Sequence, residues 1–268
     1  MRPVLAGVLG LGALMGSANL VATAESEVAV RRVSMSLTFS GDRVFMHGRI
    51  PAGATDALAV MEGPPPGTIR LMEKGRVGPF WLGVHQYRLD AAPGYYWLNL
   101  HCPSCNGLSH CEHVPDIDRI NRLLAPYSVT VGPSAIHRYA QLERVSGNLA
   151  SGEVQRVLDG FWELQARRGL YGVRDNAIRI SADRSFYHAF RIPDQAPEGK
   201  YHITTYFLSP EAVVGTAEND LFVRKAGLVA RLSRMADRNA LGYGLFTIAI
   251  ALGAGWLAGT LFRRGGGH

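Results

Sequence analysis

From Val28 to Leu100 the hydrophobic and polar positions of the chain alternate with a dominant period of two. Val33, Met35, Leu37 and Phe39 alternate with Ser34, Ser36, Thr38 and Ser40, the pattern of a strand with one dry and one wet face. Gly41-Asp42 turns the chain, and Val44, Met46 and Ile50 then alternate with Phe45 and His47, so a second strand is expected to close a hairpin. Further β-like runs follow at Ala57 to Glu62, Thr68 to Lys74, Phe80 to Leu89 and Tyr95 to Leu100. They are separated by Gly63-Pro64-Pro65-Pro66-Gly67, by Gly75 to Pro79 and by Ala92-Pro93-Gly94. Short strands with such punctuation predict a mainly β fold, an Ig-like β-sandwich.

Between about Pro115 and Arg168 the period becomes helical. Ser151 is a good N-cap type, and Val154, Val157, Leu158, Phe161 and Leu164 recur at three- and four-residue intervals, predicting an amphipathic helix packed on the sheet. Its Trp162 is expected to pack in the core or at its rim rather than form a binding surface. The β pattern resumes at Ala177 to Ile180, Phe186 to Ile192, Tyr201 to Leu208 and Leu221 to Val223. The helical part thus reads as an insertion between two β-rich halves.

Both termini point to a membrane. Leu241 to Phe262 is an apolar run closed by Arg263 and Arg264, and about 20 apolar residues span the roughly 30 Å hydrocarbon core as one helix. At the other end Met1 and Arg2 precede an apolar run from Val4 to Met15, and Ala22-Thr23-Ala24 meets Glu25, the layout of a cleaved secretory leader, favoured over an uncleaved second membrane helix by the glycines and alanines in the run and the A-x-A that follows. The expected organisation is a signal peptide at 1–24, an N-terminal β-rich half at 25–114, the helical insertion at 115–170 and a C-terminal β-rich half at 171–225. A juxtamembrane amphipathic helix at 226–240, a transmembrane helix at 241–262 and a cytoplasmic tail at 263–268 complete it. The bulk of the chain is then periplasmic and the C-terminus cytoplasmic, across the inner membrane. Arg231, Arg234 and Arg238 outside against Arg263 and Arg264 inside give the positive-inside rule little weight, so the orientation follows the leader.

The span carries more than an anchor needs. Thr247, Ala251, Gly255 and Gly259 recur every four residues and form a ridge of small side chains that lets another helix approach closely. The expected partner is an integral membrane protein or a second copy. Just upstream, Leu228, Leu232, Met235 and Ala236 form an apolar stripe flanked by the three arginines, suited to lying on the bilayer surface. The formal charge of +6 is otherwise dispersed, so the basic cluster reads as a lipid contact and no nucleic-acid partner is expected.

Several short stretches together resemble the alphaproteobacterial transmembrane protein family Alph_Pro_TM. They are Phe39-Ser40-Gly41, Gly63-Pro64, Lys74 with Gly78 to Trp81, and Pro93-Gly94-Tyr95-Tyr96. Further along come Gly169-Leu170-Tyr171, Ile192-Pro193 with Pro197, Gly199 and Tyr201, and Gly255-Trp256 through Arg264. The likeness lies in their order over most of the chain. It implies an exported region with one C-terminal membrane helix, no established enzymatic activity, and a partner among sulfite-exporter-like transporters.

The segment His101-Cys102-Pro103-Ser104-Cys105 followed by His110-Cys111-Glu112-His113 departs from the family pattern, so the resemblance implies nothing about it. Cys102, Cys105, Cys111, His101, His110 and His113 exceed the four ligands of a tetrahedral zinc site, and Cys-x2-Cys lets two sulfurs face one ion. Soft sulfur also suits copper(I). A structural disulfide and a redox-active Cys102–Cys105 pair are the competing readings. Asn106 after Cys105 and Glu112 after Cys111 disfavour covalent haem, and three cysteines fall short of an iron–sulfur set. His47 and His85 are read as rim residues, and His188 and His202 as surface or hydrogen-bonding residues on neighbouring strands. No Ser-His-Asp set, phosphate loop or paired carboxylates can be assembled. The chain is therefore expected to be a non-enzymatic accessory protein docking on a transporter or respiratory complex, with metal binding or thiol redox chemistry as the alternative and zinc or copper as the only candidate cofactors.

Overall fold

The computed structural model describes residues 22–23, 26–28, 32–35, 39–102, 116–150, 152–225 and 239–263. Eight strands come first: β1 (Ala22–Thr23), β2 (Ser26–Val28), β3 (Arg32–Met35), β4 (Asp42–Arg49), β5 (Asp56–Glu62), β6 (Ile69–Val77), β7 (Phe80–Asp90) and β8 (Tyr96–His101). Helices α1 (Ile117–Leu124), α2 (Pro133–Tyr139) and α3 (Glu153–Arg167) follow, with strand β9 (Gln141–Arg144) before α3. Strands β10 (Tyr171–Ile180), β11 (Ser185–Ile192), β12 (Gly199–Leu208) and β13 (Val213–Lys225) and helix α4 (Ala240–Arg263) complete the order.

The mainly β expectation holds. Ten strands join in one continuous sheet in the order β1-β13-β12-β5-β8-β10-β11-β4-β2, with β3 also on β13, while β6, β7 and β9 form a separate three-stranded sheet. The large sheet curls over on itself, so that Phe186 of β11 meets Phe207 of β12 with ring centroids 5.4 Å apart. A register shift between Arg174 and Ile178 lets β10 pair with β8 through its first half and with β11 through its last residues. A bulge of this type bends a strand and turns a sheet corner.

Burial explains the two kinds of strand pattern. β4 and β11 alternate buried and exposed residues because one face meets water, whereas β5 reads Ala-Leu-Ala-Val-Met without a break and all five are buried. The helices cover the outer face there: Phe161 and Trp162 of α3 pack edge-on against Tyr171, and Trp162 also against Tyr96. Each fully buried side chain such as Leu58, Leu98 or Phe207 contributes about 1.5–3 kcal/mol. β8 and β10 run parallel, and parallel neighbours cannot be joined by a tight turn; the helical segment between them is that crossover.

The expected hairpin of the first two strands does not form. β3 pairs in parallel with β13, and β4 pairs with β11 and β2, because Gly41 (φ +111°) serves instead to bring the chain against Ile192. The helical stretch also contains a strand, β9, which pairs with β7. On α3 the buried stripe is Leu158, Phe161 and Gln165, whereas Val154 and Leu164 are exposed. Gly152, not a side-chain cap, starts this helix, and Ser151 lies outside the described residues. So do residues 1–21 of the expected leader, the juxtamembrane stretch 226–238 and the tail 264–268. Ala22 and Thr23, read as leader, pair here with Gly215 and Thr216 of β13.

Candidate functional site

Antiparallel pairing of Leu58 with Leu100 sets the start of β5 beside the end of β8. There the His101 Nδ1 lies 3.0 Å from Asp56 Oδ1, an oxygen that also accepts the Ala57 N–H at 2.8 Å. A ring donating from Nδ1 to a carboxylate presents its Nε2 lone pair, the second-sphere arrangement that orients metal-binding histidines. Cys102 follows and is buried. The chain is described again at Asp116, whose carboxylate caps α1 by accepting the Arg119 N–H at 3.0 Å. Arg119 in turn donates to the Pro210 carbonyl at 3.0 Å. A cavity of about 210 Å³ lies between, lined by Thr55, Asp56, Asp116, Arg119 and Leu208. His101 and Cys102 of the expected ligand set thus root the thiol segment here, while Cys105, His110, Cys111 and His113 lie outside the described residues. Among the described residues no three His, Cys, Asp or Glu side chains are placed so that they could hold a metal ion.

The opposite end of the same strands is built from the short motifs that carried the family resemblance. The Gly63 N–H donates to the Tyr95 carbonyl at 2.8 Å, the Gly94 N–H to Pro64 at 3.1 Å and the Tyr96 N–H to Leu170 at 2.9 Å. Tyrosine hydroxyls complete the knot: Tyr95 donates to the Arg191 carbonyl at 2.8 Å, Tyr201 to Pro197 at 2.7 Å and Tyr171 to Pro93. The fit is close, since a Cβ on Gly94 would meet the Pro64 oxygen at 2.6 Å and one on Gly199 would meet Pro64 Cγ at 2.7 Å. These pieces are far apart in sequence and meet only in the fold.

Beside the knot, register places Glu62, His202 and Asp220 in one row across β5, β12 and β13. Burial raises the Glu62 carboxyl above its usual range, against the pull of His202. Asp220 is held low, chiefly by the Lys200 ammonium 2.9 Å away, and it accepts from His202 at 2.8 Å. A recess of about 420 Å³ opens here, lined by Glu62, Pro64, Pro93, Tyr139, Lys200 and His202. The recess has an apolar wall and a rim of paired charges. Sequence reading missed Glu62 and Asp220, although Asp56 and Glu62 bracketing an unbroken apolar run was a visible signal.

Among the described residues three further histidines have local partners. His47 lies 3.9 Å from Glu27, and Arg144 donates to His85 at 2.5 Å. His188 and His202 are not on neighbouring strands, because β11 pairs with β10 and β4 while β12 pairs with β5 and β13. His188 is buried between Phe186 and Phe190, with Nδ1 3.1 Å from the Asn99 amide, and burial lowers its pKa to about 3.

A family model described as "Putative transmembrane protein (Alph_Pro_TM)" matches residues 24–264. The chain belongs to the Alph_Pro_TM family. No curated protein and no solved structure matches it. In this Alph_Pro_TM chain Leu241–Thr260 of α4 is long and apolar enough to cross a membrane, and family and helix together fit a single-pass membrane protein. Asn239 starts the helix by accepting the Gly242 N–H at 2.9 Å. On its small-residue ridge the Thr247 hydroxyl is spent on the Gly244 carbonyl at 2.8 Å, which leaves shape rather than polarity as what the ridge offers. Open space surrounds Gly255 and Gly259.

Proposed function

We propose that this protein is a periplasmic accessory protein anchored in the inner membrane by α4, with its C-terminus in the cytoplasm, and that its β-rich region docks on an integral membrane partner, a transporter or a respiratory complex. One observation carries the reading. β13 pairs Val223 with Gly199 and ends at Lys225, so the chain leaves the sheet toward α4 at the end where the knot and the charged recess stand. A docking surface there lies at the end of the sheet from which the chain continues to α4. The Gly255 ridge supplies a second contact inside the bilayer. The family match begins at residue 24, next to the expected cleavage site, which supports export. The curled sheet, with its shared interior, supports an Ig-like sandwich as the docking module.

The test is extraction of the full chain in mild detergent after crosslinking. Co-purification with a larger membrane assembly is expected, and Gly255→Leu, which meets open space in the monomer, should reduce it. Recovery only as a monomer without a crosslinked neighbour would refute the reading. The His101–Asp56 pair favours a second reading, in which the thiol segment binds zinc or copper or cycles as a dithiol. Elemental analysis with a free-thiol count decides that one, and no bound metal together with two thiols locked in a disulfide would sink its metal form.

A further inference from the structure

The β6–β7 hairpin has two unlike parts. In the inner part the Tyr87 hydroxyl lies 2.8 Å from Glu73 and 2.6 Å from Glu153, two carboxylates that share its one proton, Arg156 donates to Glu73 at 2.5 Å, and β9 adds a third strand along Tyr87–Asp90. A register shift at Val84, between the pairs Glu73–His85 and Lys74–Gly83, ends this support. Among the described residues the outer part, 74–77 with 80–83, pairs only with itself. There Phe80 is 66% and Trp81 70% exposed, with Val77 and Leu82 half-exposed. Scattered apolar residues on a surface need no explanation, but four in one projecting tip mark a contact site.

Cross-strand partners share a face. Val77 stands opposite Phe80 and Gly75 opposite Leu82, while Arg76 stands opposite Trp81 and Lys74 opposite Gly83. One face of the tip is therefore wholly apolar and the other is cationic and aromatic. No acidic residue occurs from Lys74 through Leu89. Tryptophan and phenylalanine flanked by lysine and arginine are the side chains that settle at a bilayer interface, rings at headgroup level and cations on anionic phosphates. A bilayer is at hand, since the chain belongs to a transmembrane family. The hairpin also springs from the sheet end at which the chain leaves for α4: it follows Pro64, which abuts Gly94 and Gly199.

We propose that the Val77–Leu82 tip is a lipid-contact element. Val77, Phe80, Trp81 and Leu82 lie at the boundary of headgroups and acyl chains, and Lys74 and Arg76 sit on anionic headgroups. Insertion stops at the interface, because the open backbone of the turn cannot be desolvated in hydrocarbon. The outer strands, at about 3.3 Å per residue, are long enough for that depth, about 5–10 Å. The bilayer would then hold the β-rich region at two places, α4 and the hairpin. This inference needs only the membrane anchor and is independent of a docking partner.

The experiment places a photoreactive benzoylphenylalanine at position 81 of the full chain in its own membranes, with position 45, another exposed aromatic, on β4, as control. A phospholipid-mass adduct at 81 and none at 45 is expected, and Lys74→Gln with Arg76→Gln should lower its yield at least about threefold. A protein adduct at 81 would overturn the inference while leaving the docking reading standing. No adduct at 81, or equal lipid adducts at both positions, would overturn it as well. Loss of the docking reading is read separately, by co-purification.

Discussion

β5 and β8 each have two ends, and the ends are built on opposite principles. At one, the His101–Asp56 contact stands beside a small cavity, next to the buried Cys102. At the other, glycines, prolines and tyrosines lock five stretches of chain together, and an acid with a raised pKa faces a recess. The contrast teaches that the closely packed end is where the family-like motifs acquire a structural meaning, while Cys105, His110, Cys111 and His113 of the thiol segment lie outside the described residues. Close packing next to the chain exit suits the proposed docking surface.

The contrast can be broken by mutation. Gly94→Val drives a side chain into the Pro64 carbonyl and Pro197, and should cost about 3 kcal/mol in urea unfolding of the full chain in micelles. Acid probes the interior between the two ends. His188 takes up its proton near pH 3 in the fold but near 6.5 unfolded, so the unfolded state binds the proton first as pH falls. Stability should drop by about 1.4 kcal/mol per pH unit below 6.5, and a flat profile from pH 6.5 to 4.5 would disprove the buried neutral imidazole. Tyr171→Phe removes the bond to the Pro93 carbonyl and should cost about 1–2 kcal/mol. Asp56→Asn, at a half-open site, should cost only about 0.5–1 kcal/mol. If the thiol segment does hold a metal, the same change should weaken its retention about 10–100-fold. An Asp56→Asn penalty as large as that of Tyr171→Phe would erase the difference between the ends.

Much of the fold was legible. The strands from Asp56 to His101, the Leu158–Phe161 helix face and the apolar span of α4 follow from period and punctuation alone. Pairing partners were not. Gly41-Asp42 reads as a hairpin turn, yet β3 goes to β13 because turn chemistry limits local geometry without naming a distant partner. Gln141–Arg144 carries no strand signal of its own and becomes one by adding to the open edge of β7. For the candidate site, the Cys/His segment was conspicuous as composition, whereas Glu62 and His202 look ordinary until β12 and β5 set them side by side.

By itself the sequence determined the membrane helix, the mainly β character and the helical stretch between two β-rich parts, since these rest on spacing within a few residues and on side-chain size and polarity. Only the tertiary structure decided that scattered Gly, Pro and Tyr motifs form one knot, that His188 is sealed in the core, and that the hairpin tip stands clear of its support. Those facts depend on which strands lie side by side, a choice made by burying both faces of β5 and β8 at once, and no local pattern encodes it.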